Sequence, residues 1–126
     1  MMKRHFTDEA LLLIRLGFGG FMLTHGIPKI SKLSNAAEFS DPLNIGGLPS
    51  LILCLIGEVL APVLIIIGLK TKLATIPAAI TMIVAAFIVH ANDDLASKEH
   101  ALLYLIAFVA IFLAGPGKFS IDRMKK

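Results

Sequence analysis

Residues 49–69 read PSLILCLIGEVLAPVLIIIGL, an unbroken apolar run interrupted by one ionisable side chain, Glu58. A helix needs roughly 20 residues to cross the hydrocarbon core of a bilayer, so this stretch is long enough to span one. Beyond it, Lys70-Thr71-Lys72 makes a tight basic connection to a second full-length run, Leu73 to Ala91. Two further runs flank this pair: Ala10 to about Lys29, and Glu99 to Gly115. These reach spanning length only by including His25, or Glu99 and His100. The reading is an all-α, integral membrane four-helix bundle in a single domain, residues 1–126, with helices at about 8–29, 49–69, 73–91 and 99–115.

Composition agrees with that reading. Hydrophobic residues make up 56% of the chain and charged residues 17%, too apolar for an ordinary soluble domain. The net charge of +3 does not mark a nucleic-acid surface, because the basic residues sit at the ends of apolar runs with no aromatic-studded patch between them. No nucleic-acid partner is expected; the expected surroundings are a lipid bilayer. Cys54, the single cysteine, excludes an internal disulfide and a CxxC pair, and is expected only to pack. The amino-terminal run lacks a small-x-small cleavage site before Pro28 and is expected to be retained.

Orientation follows from lysine and arginine near the helix ends. Lys3, Arg4, Lys70, Lys72, Lys118, Arg123, Lys125 and Lys126 fall on one side of the four crossings, and Lys29, Lys32 and Lys98 on the other. Both termini are therefore predicted to be cytoplasmic, in a bacterial cell inner membrane. Small residues four apart, Gly20 with Thr24, Gly57 with Ala61 and Ala74 with Ala78, predict close helix contacts. Pro62 and Pro77 are expected to kink the middle helices.

An ionisable group in hydrocarbon needs a partner or a water-filled cavity. Arg15 and Glu58 are the two deep ones, and their opposite signs predict an ion pair. Arg15, Met22, Gly26 and Lys29 form one helical stripe with His25 at its edge, expected to face inward. Lys29 reads as a cation reaching for the surface. Near the outer surface His25, Lys29, His90, Glu99 and His100 should gather around a pocket mouth, with Tyr104 one turn below His100 and Glu58 towards the floor. Histidine beside carboxylate suits proton exchange, or hydrogen bonds to ligand carbonyls such as those of a quinone. Against this stands a bland reading: the polar residues at helix ends are simply solvated at the interface, and the deep ones fix helix register. A metal set drawn from His25, His90, His100 and Glu99, or a haem between two histidines, is chemically open. No HxxxH or HxxE spacing fixes two ligands on one helix face, and no metal is assigned.

Taken in order, Ile14-Arg15-Leu16-Gly17, His25-Gly26-Ile27-Pro28-Lys29, Gly47-Leu48-Pro49, Glu58, Thr71-Lys72-Leu73-Ala74, His90, Glu99-His100-Ala101-Leu102-Leu103-Tyr104 and Gly115-Pro116-Gly117-Lys118-Phe119-Ser120-Ile121-Asp122 resemble the DoxX-like membrane proteins over nearly the whole chain. The resemblance implies a four-helix inner-membrane protein and draws attention to Arg15, His25, Lys29, Glu58, His90 and Glu99. It also implies an accessory subunit of a quinone-linked redox or quinone and oxidative-stress detoxification system. Quinone would then be the cofactor or ligand, and a soluble or membrane redox partner the electron source. The sequence holds no diagnostic cofactor motif, so chemistry of its own is not expected without such a partner. The alternatives are a small oligomeric transporter or channel, built as a homo-oligomer around kinked helices and a mid-membrane carboxylate, and a membrane scaffold or assembly factor.

Overall fold

The computed structural model describes residues 6–124, so Lys3, Arg4, Lys125 and Lys126 lie outside the described residues. The fold is all-α. Helix α1 covers Thr7–Ile30 and runs into a 3-10 segment, Ser31–Glu38. Helix α2 covers Gly47–Ile67, α3 Thr71–Val89 and α4 Leu95–Ala114, followed by a single turn, α5, at Ile121–Met124. The first three are long and apolar enough to cross a bilayer. Helix α4 has 20 residues and an apolar run from Ala101 to Ala114. The protein is a multi-pass membrane protein.

Consecutive helices pack side by side, and α4 closes the ring against α1. The packing is inverted relative to a water-soluble bundle. The interior is built largely of small side chains, Ala61, Ala74, Ala78, Ala86 and Ala101, filled in by Met22, Met82, Phe108 and Ile111. The exterior carries Leu13, Phe21, Leu73, Ile106 and Leu113, each more than 60% exposed. In lipid the large apolar side chains gain nothing by hiding, whereas small residues let backbones approach and gain dispersion contact.

Three glycines make that approach possible. A side chain at Gly19 would collide with Ile66, one at Gly26 with the Glu58 carbonyl oxygen, and one at Gly57 with the Thr81 hydroxyl. Gly20 does not serve this purpose: it meets open space, and the exposed Thr24 hydroxyl bonds back to the Phe21 carbonyl 2.6 Å away. The stripe of Arg15, Gly19, Met22 and Gly26 is buried.

The prolines act unequally. Pro62 has no N–H for the Glu58 carbonyl, and residues Ile56–Leu60 widen into a π turn in which the Ala61 N–H reaches back to Ile56. The freed Glu58 carbonyl is the oxygen that Gly26 approaches. Pro77 sits inside regular helix without a break, and α1 continues through Pro28 to Ile30 in place of a turn. Helix α4 starts at Leu95, four residues ahead of the expected Glu99, because polar residues continue a helix that hydropathy alone truncates.

The connection between α1 and α2 is organised by Asp41. Its carboxylate accepts the Ser50 hydroxyl at 2.6 Å and the backbone N–H groups of Ile45 and Gly46 at 2.9 and 2.5 Å. The Ser50 hydroxyl is the largest influence and, with the backbone N–H groups of Ile45, Gly46 and Asn44, holds the Asp41 carboxyl below the ordinary carboxylate range against desolvation, the second-largest influence. A depressed folded pKa adds stability that is fully present above the unfolded carboxylate's pKa and is lost as pH falls through the folded value. Asp41→Asn is therefore expected to melt below the parent in detergent at neutral pH. The gap should close on acidification below about pH 4; a gap that does not change with pH would assign the loss to geometry alone.

Candidate functional site

The polar residues resolve into separate groups at the two ends of the bundle. At the end holding the α2–α3 turn, Arg15 is 1% exposed and donates to four backbone carbonyls. Its Nε reaches Ile65 at 2.9 Å and Nη2 reaches Ile66 at 2.8 Å, both in the last turn of α2. Its Nη1 reaches Pro116 and Phe119, each at 2.9 Å, in the segment after α4. A cation among the terminal carbonyls of a helix meets the negative end of its dipole and satisfies acceptors that have no intrahelical partner.

The same segment closes the turn from the other side. Asp122 accepts the backbone N–H of Lys70 at 2.6 Å and of Thr71 at 2.8 Å, capping the start of α3 from a distance, while its own N–H donates to the Gly68 carbonyl at 2.8 Å. Lys70 takes a left-handed backbone conformation there, with φ +49. Gly68, at φ +74, sits against Ser120 and Arg15, where a side chain has no room. The backbone N–H of Lys118 donates to Asp8 at 3.0 Å, tying the tail to the first turn of α1. The Thr71 hydroxyl is buried without a hydrogen-bond partner among the described residues.

Arg15 therefore does not pair with Glu58. The two are on adjacent helices but in different halves of the bundle, and the carbonyls at the end of α2 outnumber and outreach one distant carboxylate. Glu58 pairs instead with Lys29, whose Nζ lies 2.8 and 3.0 Å from the two carboxylate oxygens. Lys29 thus turns inward, leaving the surface it was expected to seek. The Glu58 side chain is 7% exposed and that of Lys29 30%. Cys54 joins them: its thiol donates to Glu58 at 3.1 Å and lies 3.6 Å from the Lys29 ammonium, so it does more than pack.

Across α1 and α4 stands a second group, made of rings. The His25 imidazole lies 6.4 Å from that of His100 and 5.9 Å from the Tyr104 ring, centroid to centroid. Tyr104 meets Phe18 edge-on at 5.8 Å and stacks on Phe108 at 6.1 Å. His25 and His100 are exposed, Tyr104 is buried, and none of the three makes a side-chain hydrogen bond among the described residues. The next residue after His25 is Gly26, which touches the Glu58 backbone, so the ring group and the Lys29–Glu58–Cys54 group adjoin across α1.

The remaining expected members stand apart. His90 pairs through Nδ1 with Asp93 at 2.7 Å on the exposed α3–α4 connection. Glu99 is exposed on α4 beside His100. Among the described residues no three His, Cys, Asp or Glu side chains assemble as a metal set, so the His25, His90, His100 and Glu99 combination is not brought together. Chemically, the arrangement offers two imidazoles and a phenol able to donate to carbonyl oxygens, beside an ammonium–carboxylate–thiol cluster able to hold or release protons. Sequence reasoning missed Asp8, Asp122 and the role of Cys54. The paired Lys70 and Thr71 N–H groups at a helix start were the available hint that a distant acceptor was needed.

A family model described as DoxX matches residues 10–91, more than half of the chain, from α1 to the end of α3. No curated protein and no solved structure matches.

Proposed function

The chain belongs to the DoxX family, and we propose that it is the membrane subunit of a quinone-linked redox or quinone-detoxification system. Its ring group of His25, His100 and Tyr104 would hold the head of a quinone-type ligand. The observation that carries this reading is the convergence of two imidazoles and a phenol with no side-chain hydrogen-bond partner among the described residues. A quinone ring offers two carbonyl acceptors and a flat face, matching imidazole N–H and phenol O–H donors set beside aromatic edges.

Reduction of a quinone consumes protons as well as electrons. Lys29 and Glu58, adjoining through Gly26, supply a nearby pair that can pass a proton towards His25, with His90 and Glu99 further out at the loop end. A bound quinone or a redox partner, soluble or in the membrane, supplies the electrons. The distribution of basic residues supports an orientation with both termini cytoplasmic, in which the ring group would face the outer half of a bacterial inner membrane.

Short-chain ubiquinone and menaquinone analogues should raise the melting temperature of the detergent-solubilised protein through mass action, by about 2.7 kcal/mol of added stability at a hundredfold excess over Kd. The combined His25→Ala, His100→Ala variant should lose that response while Lys98→Ala keeps it. Equal stabilisation of parent and double variant would remove the ring group from the proposal; no response to any analogue would remove the ligand class.

A further inference from the structure

Between α2 and α3, on the bilayer-facing side, lies an apolar groove of about 270 Å³ that the ring group does not use. Ala61 and Ala74, 2% and 4% exposed, form its floor, and the exposed Leu60, Leu73 and Ile76 its walls. At its end, by the α2–α3 turn, stands Lys70, the one charged group of the lining. From this juxtaposition we infer that the groove seats an acyl chain of an anionic glycerophospholipid whose phosphate is held at Lys70.

Charge complementarity selects this occupant. Lys70 and Lys72 have no carboxylate partner among the described residues, and Lys118 and Arg123 are exposed on the segment that packs against the same turn. Of the acids at this end, Asp122 faces the N–H groups of Lys70 and Thr71, Asp8 the N–H of Lys118, and Glu9 is half-buried in the first turn of α1. An unpaired ammonium at the interfacial end of an apolar slot matches a lipid that is apolar along its length and negative at its head. The left-handed backbone of Lys70, fixed by Asp122, keeps the side chain's origin at the groove end. A second copy of the chain would bring another Lys70 and the same cationic segment, or would leave the ammonium uncompensated.

The sequence contains no tryptophan, so Ile76→Trp places a single tryptophan reporter in the groove wall. In bilayers of mixed composition, its fluorescence should be quenched by brominated phosphatidylglycerol about fivefold more effectively per lipid than by brominated phosphatidylcholine, the preference one lysine near an anionic group supplies. Adding Lys70→Asn, which removes the charge while tolerating the left-handed backbone, should abolish the preference; adding Lys98→Gln at the other end should not. Helicity and elution volume, unchanged in both, confirm the fold. Equal quenching by the two lipids, or a preference that survives Lys70→Asn, would overturn the inference. Absence of quenching by either lipid would mean that another chain covers the groove, and would overturn it as well.

Discussion

Arg15→Leu is expected to remove a large share of the stability of this protein. Four carbonyls, those of Ile65, Ile66, Pro116 and Phe119, lose their donor at once. A buried acceptor left unpaired costs about 1–3 kcal/mol, so even the low end of that range gives a loss of about 4 kcal/mol. Domains are stable by only about 5–15 kcal/mol, so this is a large share of the total. Arg15→Lys should recover only part, because an ammonium has three donors without the planar fork that spans α2 and the tail together. Thermal melts in detergent, with protease sensitivity of residues 115–124 as a local readout, test this. A melt within a few degrees of the parent for Arg15→Leu would show that the staple is dispensable.

The second large effect concerns Lys29 and Glu58, and it should be asymmetric. Lys29→Met strands a carboxylate whose side chain is 7% exposed, at a cost of about 3 kcal/mol or more. Glu58→Met should cost less, since Lys29 lies at the end of α1 and its long side chain can swing to the surface. The double variant should be more stable than Lys29→Met alone, giving a coupling well above the roughly 1 kcal/mol ceiling of exposed pairs. Additive single effects would place the pair in effectively aqueous surroundings and remove it as a proton store beside the ring group.

The helices were legible in the sequence because hydropathy integrates over some twenty residues and survives local exceptions. The inward stripe of α1 was legible for the same reason, since Arg15, Met22 and Gly26 follow the helical period. Partnerships were not legible. Opposite charge pointed Arg15 to Glu58, but its acceptors are backbone carbonyls, which every residue carries and no side-chain type marks. Asp122 read as part of a polar tail, and its task depends on the turn after α2 arriving within hydrogen-bond reach. The run from Gly115 to Asp122 thus has a structural reason: two glycines with positive φ shape the chain so that Pro116, Phe119 and Asp122 meet Arg15 and the α2–α3 turn.

The constellation at the end opposite the α2–α3 turn was half legible. His25, His100 and Tyr104 converge because α4 closes against α1, and Tyr104 lies one turn from His100. His90 was expected beside them, yet the π turn at Ala85–Val89 ends α3 and leaves it bonded to Asp93. Gly26 links the two polar groups, a role that rests on the carbonyl Pro62 sets free and so depends on two helices at once.

The ring group is tested most directly by irradiating the full chain in liposomes with a photoreactive quinone analogue and mapping the adducts by mass spectrometry. Adducts on the segments containing His25 and His100–Tyr104, suppressed by excess unlabelled quinone, are the expected result. Adducts confined to other surfaces, or insensitive to competitor, would contradict a quinone site between α1 and α4.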